Sequence, residues 1–124
     1  MIVVMGSDPS PNLTIEAATA LLETVECEND LARLFAAVDN KAWWIEDSIY
    51  DYEEGTAEYH TAEETVDAWF SLSDSIKEII FDILRAEGIR IPQTRQIEVL
   101  EPFMKRNGFY NGAGWWIEQD EQKE

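Results

Sequence analysis

The chain has 124 residues and carries 26 acidic side chains against nine basic ones, a formal charge of −17 at neutral pH. That length is typical of one domain, which we take to be residues 1–124, and it suffices for a hydrophobic core without structural staples. The negative charge repels nucleic acid and anionic membranes, so neither direct nucleic-acid binding nor membrane association is expected.

A single cysteine and the lack of long apolar runs favour a cytoplasmic protein. Cys27 is the only cysteine, so no disulfide can form within the chain, as is usual in a reducing compartment. No run of residues approaches the ~20 apolar positions of a membrane span. These features predict a cytoplasmic location and leave the oligomeric state open.

The segment that precedes the first helix is compatible with two structures. Residues 1–11 form either an N-terminal strand or a disordered lead, since an apolar start is followed by Gly, Ser and Pro residues. Asn12 or Thr14 can cap the helix after it, which we expect to end near Glu26. Apolar residues recur there at helical spacing: Ile15, Ala18, Leu22 and Val25.

The second helix has the clearest periodicity in the chain, and we predict it from Asp30 to Tyr52, capped by Asn29 or Asp30. Its apolar stripe comprises Leu31, Leu34, Phe35, Val38, Ala42, Ile45, Ile49 and Tyr52. The residues expected on its polar side are Asp39, Asn40, Lys41, Glu46 and Asp47. Trp44 and Tyr50 are expected to face solvent at least partly. The alternative is a break at Asp39-Asn40 and a strand from Ala42 to Tyr50.

The third helical region is predicted in two parts. Thr61 and Glu64 fit a capping box, so a helix should begin after Thr61. The serine-rich stretch 71–75 should kink it or start a new helix, because serine side chains compete for backbone hydrogen bonds. A dense apolar stripe then continues to Gly88, which should end the helix.

The C-terminal third predicts shorter elements. An extended link should lead to Pro92, Ile97 should lie in a helix, and Pro102 should stand in the first turn of another. Asn111-Gly112 is typical of a hairpin turn, and residues 119–124 should form a frayed charged tail. The fold class predicted is mainly α, a compact bundle of about four or five helices with the option of a small C-terminal hairpin, and α+β as the alternative.

The sequence lacks the motifs of common enzymes and metal sites. It contains neither a phosphate-binding loop nor a complete dinucleotide motif, and its single histidine excludes H-E-x-x-H. His60 with Glu63 and Glu64 could hold a metal weakly, but a loop at a helix entry is the better interpretation. We therefore predict no catalytic residues, no metal and no cofactor.

The distribution of charge is the main functional signal. Residues 42–76 contain ten acidic residues and no Lys or Arg, whereas the segments before and after carry net charges of only −5 and −2. Carboxylates mixed with large aromatic rings can attract a basic partner and also hold it. The candidate partner-binding residues are Glu46, Asp47, Tyr50, Asp51, Tyr52, Glu53, Glu54, Glu58, Tyr59, Glu63, Glu64 and Asp67. The competing interpretation is a solvated acidic face over an ordinary core.

These features predict a non-enzymatic inhibitor that occupies the basic site of a nucleic-acid-binding protein or nuclease. Such a nucleic-acid mimic could serve as an anti-CRISPR, anti-restriction, immunity or antitoxin protein. The alternative is an adaptor or assembly subunit whose acidity serves solubility, and a small hydrolase comes third. The pairs Trp43-Trp44 and Trp115-Trp116 are expected to be core or interface anchors.

Overall fold

The computed structural model describes residues 12–48, 53–112 and 115–119. Its elements are α1 (Ile15–Glu23), α2 (Glu28–Ser48), α3 (Ala57–Ala86), α4 (Ile97–Arg106), β1 (Phe109–Gly112) and β2 (Trp115–Glu118). The predicted fold class, mainly α with a small C-terminal hairpin, is therefore confirmed. The expectations for residues 1–11 and for the tail from 120 onward lie outside the described residues.

The first two helices begin close to the predicted caps but differ in detail. Thr14 caps α1 by accepting a hydrogen bond from the Ala17 amide at 3.0 Å, and α1 ends at Glu23, three residues earlier than predicted. α2 begins at Glu28, ahead of both predicted caps. Asn29 is not a cap, because its side-chain amide instead donates to the Asn107 carbonyl at 2.9 Å.

α2 is one continuous helix through Asp39-Asn40, so the alternative of a break and a strand from Ala42 is wrong as far as Ser48. Residues 49–52, which contain the predicted end of the helix, lie outside the described residues. The apolar stripe is the core-facing side, and its buried members are Leu31, Leu34, Phe35, Val38 and Ala42. Ile45 is partly buried and packs against this core.

α3 starts a full turn earlier than predicted. Thr56 is the N-cap, and its hydroxyl oxygen accepts from the Tyr59 amide at 3.1 Å. Thr61 therefore lies inside the helix, where Thr65 donates to its carbonyl at 2.9 Å. The capping-box pattern was misleading because a better-placed threonine precedes it by five residues.

The serine-rich stretch does not interrupt α3, contrary to prediction. Ser75 donates to the Ser71 carbonyl one turn back at 3.1 Å, and Ser73 donates to Asp39 on α2 at 2.9 Å. The hydroxyls thus find partners that leave the helical backbone bonds intact. α3 ends as predicted at Gly88, whose φ of 87° fits the left-handed residue after a helix.

α4 is one helix where two were predicted, and Pro102 lies inside it instead of in a first turn. β1 and β2 form an antiparallel hairpin whose register pairs Phe109 with Glu118 and Gly112 with Trp115. Asn111 and Gly112 are therefore strand residues, so the predicted turn at this dipeptide is wrong. The connection, residues 113–114, lies outside the described residues.

α2 and α3 run antiparallel and contribute most of the core, to which α4 and the hairpin add further buried residues. Asp39 bonds to Ser73, while further along α2 Trp43 contacts Phe70. α1 packs on both helices, and the hairpin lies against α2 and α4. The largest fully buried side chains are Leu31, Phe35, Val38, Ile76, Ile80, Phe81, Leu84, Phe103 and Met104. No helix of the described residues is long and apolar enough to cross a membrane.

An arginine at the end of α4 ties three helices together. Arg106 forms paired hydrogen bonds of 2.7 and 2.8 Å with Glu28 at the start of α2, and of 2.7 and 3.0 Å with Glu87 at the end of α3. These bonds lower the pKa of Glu28 and raise that of Arg106, because each partner stabilises the charged form of the other.

Candidate binding groove and acidic face

Two consecutive residues of α2 hold the C-terminal hairpin in place. The Asn40 side chain donates to the Trp116 carbonyl at 2.8 Å and accepts from the Trp116 amide at 2.9 Å. Asp39 accepts from the Trp116 indole nitrogen at 3.0 Å and, through its other oxygen, from the Ser73 hydroxyl at 2.9 Å. Trp116 is thus held against α2 at three polar atoms: its backbone amide, its backbone carbonyl and its indole nitrogen.

This arrangement corrects the prediction that Asp39, Asn40 and Lys41 lie on the polar side of α2. Asp39 and Asn40 are half-buried beneath the hairpin. Lys41 is 7% exposed, and its ammonium group lies 5.6 Å from the centroid of the Trp69 ring. Burial raises the pKa of Asp39, and the two hydrogen bonds it accepts offset only part of that effect.

The docked hairpin leaves a groove of about 1080 Å³ beside α2, which we call the aromatic groove. One wall is a stripe of α2 at intervals of four residues, ending in Trp43 and Asp47, and a second comes from α3. The start of α4 and the hairpin complete it. The lining of the groove includes Trp43, Asp47, Phe70, Asp74, Lys77, Tyr110 and Trp115.

Two of the aromatic rings that line the groove are exposed to solvent. Trp43 is 45% exposed and Tyr110 40% exposed. Trp43 packs edge-on against Phe70 with ring centroids 5.0 Å apart. Trp43, Trp115 and Trp116 line the groove, and Trp116 is buried; Trp44 is half-buried and is not part of the lining. Trp44 was expected to face solvent at least partly, and its side chain is half-buried.

The ionisable groups of the groove are mainly acidic. Asp39, Asp47 and Asp74 line it together with Lys77, whose ammonium lies 3.3 Å from Asp74. Both oxygens of Asp39 already accept hydrogen bonds within the fold. Asp47, exposed at the rim, is therefore the carboxylate best placed to meet a ligand.

A second surface, the acidic face of α3, begins beside the groove. It consists of Glu63, Glu64, Asp67, Asp74, Glu78 and Asp82, all exposed. At 3.6 residues per turn these positions fall within roughly 100° of the helix circumference and span about 28 Å along its axis. Asp74 belongs to both surfaces. Asp82 is paired with Arg85 at 2.9 Å.

The residues predicted to bind a partner are spread over these surfaces and beyond them. Glu63, Glu64 and Asp67 lie on the acidic face, and Asp47 lines the groove. Glu53 and Glu54 are exposed just before α3, and Glu58 and Tyr59 stand in its first turn. Glu46 is half-buried on α2. Tyr50, Asp51 and Tyr52 lie outside the described residues.

Several residues of the candidate site were not predicted from sequence. Phe70 contacts Trp43, and Tyr110 and Trp115 line the same groove, because α3 and the hairpin pack beside α2; no local sequence pattern indicates that these residues come together. Asp74, Glu78 and Asp82 were also missed, because the predicted contact surface ended at Asp67. Asp74 follows Asp67 by seven residues, and Glu78 and Asp82 follow at steps of four, so helical spacing was the signal that would have included all three.

His60 lies inside α3, with Nδ1 3.6 Å from Glu63, so the predicted helix-entry loop is wrong. Among residues 12–48, 53–112 and 115–119, no three His, Cys, Asp or Glu side chains come together as metal ligands would. Comparison of the chain with protein families, characterised proteins and solved structures returned no match. The groove and the acidic face are therefore the two candidate binding surfaces of the described residues.

Proposed function

We propose that this protein is a non-enzymatic inhibitor that occupies the basic site of a nucleic-acid-binding protein or nuclease. The observation that carries the proposal is the acidic face of α3, where six exposed carboxylates follow one side of a 30-residue helix. Lys77 and Arg85 are the only Lys or Arg residues of that helix. A rigid row of like charges attracts a basic cleft and steers its approach.

The row resembles a nucleic-acid backbone in sign and direction, with a lower charge density. Six carboxylates over about 28 Å give one charge per ~5–6 Å, whereas one strand of DNA carries one per ~3.4 Å. The pairs Asp74–Lys77 and Asp82–Arg85 reduce the density further. The strongest field is therefore expected near Glu63, Glu64 and Asp67, which also belong to the base-free block.

The second candidate function is an adaptor or assembly subunit, and the aromatic groove favours it. Exposed rings in a concave surface are typical of sites that dock another molecule. Binding driven by such rings depends little on salt, whereas binding by the acidic face should weaken steeply as salt rises. Salt dependence thus separates the two functions.

The test captures partners from the producing cell at low salt and asks whether the protein blocks their nucleic-acid binding or cleavage. The triple variant Glu63→Gln, Glu64→Gln, Asp67→Asn removes three charges from the acidic face. The matched control, Glu16→Gln, Glu23→Gln, Glu26→Gln, removes three exposed charges on or just after α1. We expect the first variant to lose inhibition and the control to inhibit like the parent.

Two results would contradict the proposal. One is a captured partner whose nucleic-acid binding is unaffected by an excess of the protein. The other is equal inhibition by the parent and the acidic-face variant with no dependence on salt. The second result, combined with loss of capture in groove variants, would favour the adaptor function.

A further inference from the structure

The aromatic groove exposes surface that the packing of the bundle does not use. Trp43 and Tyr110 leave 45% and 40% of their surfaces open, and Ile97 of the same groove leaves 40%. Large rings left in water forgo about 25 cal/mol per Å² of burial. When several such groups converge in one concavity, they mark a binding surface better than scattered exposed side chains do.

The size of the groove points to a peptide. Its volume of about 1080 Å³ slightly exceeds the ~300–1,000 Å³ range of ordinary small-molecule pockets. Its lining follows α2 from Phe35 to Asp47 and includes the hairpin, about 18 Å at ~1.5 Å per residue, which is the length of an extended chain of about five residues.

The charges of the groove favour a cationic ligand. Three carboxylates and one ammonium line it, and that ammonium, Lys77, lies beside Asp74. Asp47 follows Trp43 by one helical turn, so its carboxylate and the indole ring lie on the same face of α2. A planar guanidinium can stack on an aromatic ring and pair with a carboxylate through two parallel hydrogen bonds, which an ammonium cannot do.

We propose that the aromatic groove receives an arginine-bearing extended segment of a protein partner, with the guanidinium over Trp43 and paired with Asp47. The proposal rests on the proposed function only in that the partner is basic. The acidic face of α3 then supplies the long-range attraction, and the groove supplies the close contact. Arginine and aromatic side chains together dominate the binding energy of many interfaces.

The test uses a synthetic probe, the acetylated and amidated pentapeptide Gly-Arg-Gly-Arg-Gly, titrated into the full chain and followed by NMR of the indole N–H signals. Peptides with lysine or with neutral citrulline in place of arginine are the ligand controls. We expect the arginine peptide to shift the signals of Trp43 and Trp115, and the citrulline peptide to bind about tenfold more weakly or not at all.

Variants locate the contact. Asp47→Asn alters one exposed side chain and should weaken arginine-peptide binding about tenfold, and Trp43→Ala should do the same if it folds. Glu23→Gln, equal in charge change and remote from the groove, should leave binding unchanged. Binding that survives Asp47→Asn, or equal binding of the arginine and lysine peptides, would overturn the proposal.

The acidic-face triple variant separates this inference from the proposed function. If it weakens peptide binding more than Asp47→Asn does, the peptide lies on α3 and the groove assignment is wrong. Failure of the proposed function is judged independently, by the partner's nucleic-acid binding in the presence of the protein.

Discussion

Asp39 is the residue whose replacement tests most directly how the hairpin is held. Its carboxylate accepts from the Trp116 indole and from the Ser73 hydroxyl, and these two partners are 5% and 2% exposed. Asp39→Ala removes both acceptors and leaves two buried donors without them. Asp39→Asn keeps the shape, because the amide oxygen can accept from the indole while the amide nitrogen donates to the hydroxyl oxygen.

The expected magnitudes follow from these contacts. A buried polar group that loses its partner destabilises the fold by about 1–3 kcal/mol. Removing the buried carboxylate also removes its desolvation penalty, which offsets part of that loss. Asp39→Ala should therefore lower the free energy of unfolding by about 2–4 kcal/mol, a large share of the ~5–15 kcal/mol typical of a domain. Asp39→Asn should change it by less than about 1 kcal/mol at pH 7.

The pH dependence gives a second, independent measure. Burial raises the pKa of Asp39 above its ordinary value of 3.8, so the folded protein keeps this proton to higher pH than the unfolded chain does. The stability from this group is fully present below 3.8 and is lost as pH rises through the raised pKa. Asn does not titrate, so parent stability minus Asp39→Asn stability should fall over that window and then level off.

The assay is urea unfolding followed by circular dichroism and tryptophan fluorescence, at several pH values between acid and neutral. The slope of free energy against urea should be the same for the parent and both variants, which shows that the compared states are alike. A urea midpoint for Asp39→Ala equal to the parent's would show that these two hydrogen bonds do not stabilise the fold. Equal destabilisation by Asp39→Asn and Asp39→Ala would show that an amide cannot replace the carboxylate here.

Three further predictions concern the other contacts that define the fold. Asn40→Ala removes both side-chain bonds to the Trp116 backbone and should cost about 1–3 kcal/mol in urea unfolding; an unchanged midpoint would contradict this. Arg106→Gln should cost about 1 kcal/mol at pH 7, a small value because the pair with Glu28 is partly exposed. Arg106 lowers the pKa of Glu28. The loss of stability should therefore be present above pH 4.5, the ordinary pKa of this carboxyl, and should disappear as pH falls through the lowered pKa. Arg106→Lys, which keeps the charge, is the control. Gly88→Ala places a side chain at a φ of 87° and should cost about 1–2 kcal/mol in thermal unfolding, whereas a melting temperature equal to the parent's would refute the strain argument.

The core could be predicted from the sequence where local periodicity alone determines it. The stripe of α2 and the dense apolar stripe of α3 each follow helical spacing, so their buried sides were predicted from neighbouring residues in the chain. Helix ends were less predictable because several residues competed to cap them. Thr56 and Thr61 both suit an N-cap, and only the three-dimensional structure distinguishes them.

The site depended on contacts between distant residues and was predicted only in part. Asp39-Asn40 suggested a helix break because both residues favour turns, yet their side chains bond to Trp116, more than 70 positions away. Lys41 was likewise expected on the polar side of α2, but it is buried, with its ammonium over the Trp69 ring. The acidity of α3 was visible in composition, whereas the groove required the hairpin to fold back onto α2.

The bonds between Asn40 and Trp116 also affect how this chain can associate with others. A two-stranded sheet has two open edges, and each is a potential template for a strand from another molecule. On β2 the amide and carbonyl of Trp116 are both bonded to the Asn40 side chain, so at this residue Asn40 makes the two hydrogen bonds that a third strand would otherwise make. Strand addition at this edge, whether by a peptide or by a second copy, would first have to displace α2.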